Sequence, residues 1–197
     1  MRILILFIAG AVDLFANVPY VKDSLKGKTK PNIASWSTWT LINGITIFAA
    51  LNAGGAINTV FLGFTYFVAT ISILLIALFK GTRKYTLFDG ICQFLAIIGV
   101  ILWQLSGNPN IALLFVIISG EIAAIPTFKH AYNYPNEETL SSFGIASIVA
   151  IVFVLLATTI SFASLAVPID LVIGNGIIAI IIYLRRKRLR LSNLNKV

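Results

Sequence analysis

The stretch Ala16-Asn17-Val18-Pro19-Tyr20-Val21-Lys22 ends a long apolar run and leads into a short basic loop. A second stretch, Ala123-Ala124-Ile125-Pro126-Thr127-Phe128-Lys129, ends another apolar run, and its proline follows the first proline by 107 positions. Ser35 and Ser142 are related by the same offset. Two apolar helices that end at a proline can look alike by chance, but a proline, a lysine and a serine at one offset indicate an internal duplication.

The composition is that of an integral membrane protein. Apolar residues make up 58% of the chain and charged residues 11%, whereas a soluble domain has roughly a quarter of its residues charged. The single cysteine, Cys92, excludes an internal disulfide and a cysteine-based metal cluster. The single histidine, His130, falls in a predicted loop and excludes a multi-histidine metal site. We therefore expect neither a metal nor a cofactor.

Seven apolar stretches are long enough to cross a bilayer, which needs roughly 20 mostly apolar residues. Clusters of turn-forming and charged residues separate them. Only residues 161–166 divide the last two stretches, and Pro168 favours two helices there over one long helix. The predicted spans are 3–21, 33–52, 57–79, 85–105, 111–128, 140–162 and 165–184.

Lysine and arginine residues cluster after the first, third, fifth and seventh spans, and only Arg2 lies on the other side. Because positively charged loops stay in the cytoplasm, we expect an outside N-terminus and a cytoplasmic C-terminus, in the plasma membrane of a prokaryote. The net charge of +8 would also suit a nucleic-acid-binding protein. Since the basic residues follow the topology, we expect the tail to contact anionic lipid of the bilayer, and we expect no nucleic acid.

The offset of 107 maps span one onto five, two onto six and three onto seven, which leaves span four as a linker. Two three-helix units joined by one helix have the same orientation, a recurring plan among transporters, which hold the substrate near the midplane. A proline at the end of the first helix of such a unit, then a basic loop, repeated in a 3+1+3 layout, resembles the PQ-loop superfamily. That superfamily includes the SWEET sugar transporters. Where that superfamily has a glutamine after the proline, this chain has Tyr20 in the first copy and Thr127 in the second.

The resemblance implies an all-α protein with seven transmembrane helices, in which two parallel triple-helix bundles are joined by a linker helix. It also implies that Pro19 and Pro126 act as hinges. The predicted units are residues 1–81 (first bundle), 82–107 (linker helix), 108–187 (second bundle) and 188–197 (basic cytoplasmic tail).

Asp13 and Glu121 lie near the middle of spans one and five. An acidic side chain there costs about 2.5 to 3.5 kcal/mol on insertion scales, so each must face the interior of the bundle. Both are candidates for proton coupling, and the alternative is a structural hydrogen bond to a neighbouring helix. Asp89 and Asp170 lie nearer the membrane surfaces, where we favour a structural role.

Asparagines and tryptophans supply candidate binding groups. Asn17 shares a helical face with Asp13, and Asn43 and Asn175 lie near the midpoints of spans two and seven. An amide both donates and accepts hydrogen bonds, which suits a polar solute, although it can also join two helices. The SWEET resemblance implies a pocket asparagine in the third helix of a unit, and Asn175 fits that role.

Trp36, Trp39 and Asn43 are spaced by three and four residues and share one face of span two. Indoles beside an amide suit a sugar or a flat ring. The pattern W-x-x-W-x-x-x-N also resembles the motif of the PnuC vitamin transporters, which share the 3+1+3 plan and carry nicotinamide riboside. Trp36 lies close to the cytoplasmic end, so an anchor at the membrane interface is the alternative for it.

We predict a transporter and not an enzyme, because the chain has no G-x-S-x-G, no H-E-x-x-H and no glycine-rich loop before a lysine. The predicted function is passive or proton-coupled movement of a small polar solute by alternating rearrangement of the two bundles. A PnuC-type vitamin or nucleoside carrier is one alternative. A non-transporting receptor or sorting protein on the same fold, as in the KDEL receptor, is another. The solute and a homo-oligomeric state stay open.

Lipid cannot form hydrogen bonds with the polar side chains of the candidate site, so these side chains must face protein or water. We therefore expect six of them to line one cavity between the two units near the midplane: Asp13, Asn17, Trp39, Asn43, Glu121 and Asn175.

Overall fold

The computed structural model describes residues 2–54, 57–81 and 86–194, apart from the side chains of Arg2, Asp89, Cys92, Pro126 and residues 191–194. The prediction of an all-α chain is confirmed for this part, which contains seven α-helices and a short 3-10 helix, Pro135–Glu137, before α6. The α-helices are α1 Arg2–Leu25, α2 Ile33–Asn52, α3 Ile57–Lys80, α4 Leu87–Ser106, α5 Pro109–Asn133, α6 Leu140–Leu155 and α7 Phe162–Leu194.

Asparagine caps fix two of the helix starts. The Asn32 side-chain oxygen accepts a hydrogen bond of 2.9 Å from the Ala34 N–H and so begins α2 at Ile33. Asn108 accepts one of 3.1 Å from the Asn110 N–H at the start of α5. Such caps satisfy backbone donors that the first turn leaves unpaired, which explains why α2 begins at the predicted residue.

The end of α5 differs from the prediction. The helix continues to Asn133, so His130 is helical and the expectation of a loop there was wrong. Its ring Nδ1 lies 2.8 Å from Glu138 Oε1 and its Nε2 lies 3.3 Å from Glu137 Oε2. These contacts give the ring of His130 polar partners in the last turn of α5. Hydropathy alone had assigned that turn to a loop.

The boundary between α6 and α7 also differs. α6 ends at Leu155 instead of residue 162, and the following turn is held by a 2.9 Å contact between Thr159 Oγ1 and Ser164 Oγ. Pro168 lies inside α7 and does not mark the division. α7 runs to Leu194, so the described part of the predicted tail continues the helix.

Within the described part of the chain, four helices are long and apolar enough to cross a membrane: Ile3–Leu25, Ile57–Lys80, Pro109–Asn133 and Phe162–Arg190. They are compatible with an integral membrane protein, as are large apolar side chains that face outward, such as Phe15 at 73% exposure and Phe79 at 86%. α6 has 16 residues, so it is roughly 24 Å long at 1.5 Å per residue, below the hydrocarbon thickness of about 30 Å. Membrane crossing by α2, α4 and α6 stays a prediction.

The helices pack in pairs that repeat. α2 packs on α3 as α6 packs on α7, and α1 packs on α3 as α5 packs on α7. Two further contacts cross between the sets, since α1 packs on α6 and α5 packs on α2. The principal contacts among these six helices are therefore unchanged when α1, α2 and α3 are exchanged with α5, α6 and α7. α4 stands outside the pattern and packs on α5 and α2.

Two hydrogen bonds join the helices α1, α2 and α3 to the helices α5, α6 and α7. The exchange described above turns one of these bonds into the other. Ser142 Oγ donates to the Ala16 carbonyl at 2.8 Å, and Ser35 Oγ donates to the Ala123 carbonyl at 3.5 Å. The two serines are 107 positions apart, as are the two alanines. Each bond is therefore the counterpart of the other, with the donor and acceptor helices exchanged.

The starts of α2 and α6 lie side by side. Thr29 Oγ1 and Thr139 Oγ1 are 3.0 Å apart, and Lys30 Nζ lies 3.0 Å from Glu137 Oε1. Lys30 and Glu137 are themselves related by the offset of 107. These two contacts hold one end of the molecule together, which we call the loop end.

An apolar cluster lies beside the loop end and draws on six helices. In this cluster the ring of Tyr20, the residue after Pro19, packs against residues near the starts of α2 and α6. Its buried members are Tyr20, Trp36, Ile73, Ala131, Phe143, Ile178 and Ile182.

Candidate functional site

A cavity of about 110 Å³ lies among α1, α2, α3, α5, α6 and α7. None of the described residues that line it belongs to α4. The volume is below the roughly 300 to 1,000 Å³ of sites for drug-sized ligands. Its polar and aromatic lining residues are Asn17, Tyr20, Trp36, Trp39, Asn43, Tyr66, Thr70, Glu121, Ser142, Phe143, Asp170 and Asn175.

Most of the predicted site residues meet at this cavity. Of the six helices around the cavity, all except α6 contribute a polar side chain from near the middle of the helix. The predicted residues that line the cavity are Asn17, Trp36, Trp39, Asn43, Glu121 and Asn175.

Asp13 does not line the cavity, so the expectation that it would was wrong. It is fully buried, and neither carboxylate oxygen has a hydrogen-bond partner among the described residues. Thr65 lies beside it, but the Thr65 hydroxyl donates to the Leu62 carbonyl at 3.0 Å. Asp13 lies one turn from Asn17, roughly 6 Å along the helix axis, and the cavity ends between the two side chains.

Glu121 on α5 and Asp170 on α7 form a pair of carboxyl groups in the cavity wall. A glycine makes room for it, because a Cβ on Gly174 would lie 2.9 Å from Glu121 Oε1. The two carboxyl groups give this side of the cavity its acidic character. We call Glu121 and Asp170 the carboxyl pair.

Sequence reasoning undervalued Asp170, which we expected near the membrane surface in a structural role. The missed signal is local: α7 begins at Phe162, so Asp170 is in the third turn and precedes Asn175 by only five residues. The misplaced α6–α7 boundary made Asp170 appear closer to the end of its span than it is.

The two mid-span asparagines differ in their partners. Asn175 Nδ2 donates to the Leu171 carbonyl at 3.0 Å and to Tyr66 Oη at 3.4 Å. The Tyr66 hydroxyl also donates to the Ala146 carbonyl at 3.4 Å. Asn43 is 7% exposed and lines the cavity, and no described residue hydrogen-bonds its side chain. Asn43 therefore offers an unused donor and an unused acceptor to whatever fills the cavity.

Four aromatic rings form the wall at the loop end. The rings of Trp36 and Trp39 are 5.0 Å apart and nearly perpendicular, and Tyr20 lies 5.1 Å from Trp36. Tyr20 also makes an edge contact with Phe143 at 6.2 Å. Trp36 is buried at 7% exposure, which disfavours the alternative of a lipid-facing anchor. We call Tyr20, Trp36, Trp39 and Phe143 the aromatic wall.

The prolines do not end their helices. α1 continues past Pro19 to Leu25, and the bounds of α5 extend beyond Pro126. A proline inside a helix removes one backbone hydrogen bond and favours a kink. The hinge role of both residues stays a prediction, and the side chain of Pro126 lies outside the described residues, as do those of Asp89 and Cys92.

Charged groups at the loop end compensate one another. The Lys30 ammonium group, which donates to Glu137, lowers the pKa of that carboxyl. Burial raises the pKa of Glu138, although His130 and Arg186 oppose this effect. The described residues contain no group of three or more potential metal ligands.

Comparisons with family models, with curated proteins and with solved structures find no match to this chain. The resemblance to the PQ-loop superfamily therefore stays a prediction from the sequence.

Proposed function

We propose that this chain is a membrane transporter and not an enzyme, and that it moves a small polar solute by alternating access between two parallel triple-helix units of the PQ-loop type. The observation that carries the proposal is the cavity, which is lined by all six helices of the two units and by no described residue of α4. A site built at the contact between two units changes its access when the units move against each other.

The exchange pattern supports two related units. The counterpart hydrogen bonds of Ser35 and Ser142 join each unit to the first helix of the other. The starts of α2 and α6 lie together at the loop end, as expected for units in the same orientation. Three pairs of cavity-lining residues are also related by the offset of 107: Asn17 and Ala124, Trp36 and Phe143, and Trp39 and Ala146.

The two units are in contact at the loop end. The Thr29–Thr139 and Lys30–Glu137 contacts are made there, and the apolar cluster beside them shares Tyr20, Trp36 and Phe143 with the cavity lining. In the predicted orientation this end is cytoplasmic. Transport by alternating access requires these contacts to break so that the solute can leave on that side.

A PnuC-type carrier of a vitamin or nucleoside is a second candidate. It is favoured by one observation: Trp36, Trp39 and Asn43, which make up the W-x-x-W-x-x-x-N pattern, all line the cavity. A perpendicular pair of indoles beside an unpaired amide suits a flat polar ring.

The test is uptake by proteoliposomes of four radiolabelled solutes: D-glucose, L-alanine, nicotinamide riboside and choline. We expect wild-type protein to take up at least one of them, and Asn43→Ala to lose most of that uptake, because the amide faces the cavity and no described residue hydrogen-bonds it. The matched control is Asn52→Ala, since Asn52 is exposed at the end of α2 and donates only to the Phe48 carbonyl.

Equal uptake by wild type, Asn43→Ala and Asn52→Ala would show that the cavity is not the transport site. Uptake of none of the four solutes, with a folded protein, would favour a receptor on the same fold.

A further inference from the structure

We propose that the solute is a small organic cation that also carries a neutral hydroxyl or amide group. The inference depends on the proposed function and names the substrate class of that site. It rests on three features of one cavity: the carboxyl pair, the aromatic wall and the unpaired amide of Asn43.

The charge of the cavity is the first argument. Glu121 and Asp170 are acidic, and no lysine, arginine or histidine is among the described lining residues. The salt bridges of the described residues all lie at the loop end and involve Lys30 or His130. No fixed cation therefore balances the carboxyl pair, and Coulomb energies are large where water is excluded. A cationic solute would supply the missing charge.

The aromatic wall is the second argument. A cation within about 6 Å of an aromatic ring centre is attracted to its face, by roughly 0.5 to 2 kcal/mol for each ring, and cages of several rings recognise quaternary ammonium groups. Tyr20, Trp36 and Phe143 meet at angles of 59° and 87°, and Trp39 is nearly perpendicular to Trp36. All four rings line the cavity.

The amide of Asn43 is the third argument, and it is independent of charge. Its side chain is 7% exposed, faces the cavity and has no hydrogen-bond partner among the described residues. Because the side chain faces the cavity, a ligand bound there can pair with it. Since the amide both donates and accepts, a hydroxyl or amide group of the solute, which does the same, would pair with both halves of it.

Other solute classes fit less well. An anion would meet two carboxyl groups and no base. A sugar could bind Asn43 and stack on an indole, but it would make no charge–charge interaction with the carboxyl pair. The cavity of about 110 Å³ also favours a compact molecule over an oligosaccharide or a peptide.

The test compares pairs of ligands that differ in charge and little in shape. One pair is choline and 3,3-dimethyl-1-butanol, in which carbon replaces the charged nitrogen. The other is 1-methylnicotinamide and nicotinamide. Isothermal titration of the purified protein should show that the cation of at least one pair binds, with the neutral partner at least tenfold weaker. Equal affinity within both pairs would overturn the inference, and this comparison needs no variant.

Variants then locate the binding site. Glu121→Gln and Asp170→Asn keep the shape of each side chain and remove one acid, so each should weaken binding of the cation at least tenfold. Asp13→Asn is the matched control, because Asp13 is buried in α1 but outside the cavity, and it should leave the affinity within twofold. Loss of affinity in all three variants alike, with folding checked by circular dichroism, would contradict the assignment to the carboxyl pair.

The outcomes separate this inference from the proposed function. If D-glucose or L-alanine binds and is taken up while neither cation binds, the transporter proposal stands and the cation inference is wrong. If neither the cations nor the neutral solutes bind, both are wrong.

Discussion

Substituting Gly174 by alanine should weaken ligand binding without unfolding the protein. A Cβ there would lie 2.9 Å from Glu121 Oε1, and apart from the backbone of α7 itself the next atom is Glu121 Cδ at 3.9 Å. Since favourable heavy-atom contacts lie near 3.5 to 4.0 Å, the carboxylate must move by about half an ångström or more. The atom that moves is the far end of a flexible side chain, so the substitution displaces the carboxyl pair and leaves the backbone in place.

The effect on stability can be estimated. Alanine inside a helix is favoured over glycine by about 1 kcal/mol, which corresponds to roughly 2 to 4 °C in the unfolding temperature of a chain of this size. Displacement of the Glu121 side chain offsets part of this gain. We therefore expect an unfolding temperature equal to that of wild type or slightly higher, with at least tenfold weaker binding of the cation because one member of the carboxyl pair has moved.

Gly144→Ala is the matched control. Gly144 lies in α6, and a Cβ there would meet nothing within 4 Å. The control should have the same gain in helix stability and unchanged binding. The assays are thermal unfolding in detergent and isothermal titration with the better-binding cation. The reasoning is refuted if Gly174→Ala binds as tightly as Gly144→Ala, or if Gly174→Ala fails to fold.

Three further predictions concern topology, the contact between units and pH. Cysteine in place of Gly54 should react with an impermeant maleimide added outside cells, and cysteine in place of Lys28 should not; the reverse would overturn the orientation. Ser142→Ala should lower the free energy of unfolding by about 1 kcal/mol, because the 2.8 Å bond is buried; an unchanged denaturation midpoint would contradict this. The lowered pKa of Glu137 means that its pairing with Lys30 stabilises above the ordinary carboxyl pKa and is lost as pH falls below it. Lys30→Met should therefore reduce the loss of stability between pH 5 and pH 3, measured by thermal unfolding.

Periodicity predicted which residues share a helix face, and this was sufficient for several site residues. The spacing of Trp36, Trp39 and Asn43 correctly gave one face of α2. Spacing does not predict how far along the axis a cavity extends, which is why Asp13 was wrongly included with Asn17. The depth at which a cavity ends depends on the neighbouring helices, and here α3 places Thr65 against Asp13.

The carboxyl pair could not have been predicted from hydropathy. It depends on the contact between α5 and α7 and on a glycine on α7 opposite Glu121, and neither is a property of a single span. α2 begins at the predicted residue, where Asn32 caps it, whereas α6 ends at Leu155 and not at the predicted residue 162. The fold class could be predicted because composition and periodicity determine it, whereas the site needed the partners of each helix.

The measurement that tests alternating access most directly is a reversible cross-link at the loop end. Thr29 and Thr139 have side-chain oxygens 3.0 Å apart and belong to different units, so cysteines at both positions, in a Cys92→Ser background, should form a disulfide on oxidation. We predict that oxidation abolishes uptake of the transported solute by the double variant, that a reductant restores it, and that neither single variant responds. Full uptake by the cross-linked protein would contradict the claim that the two units must separate here.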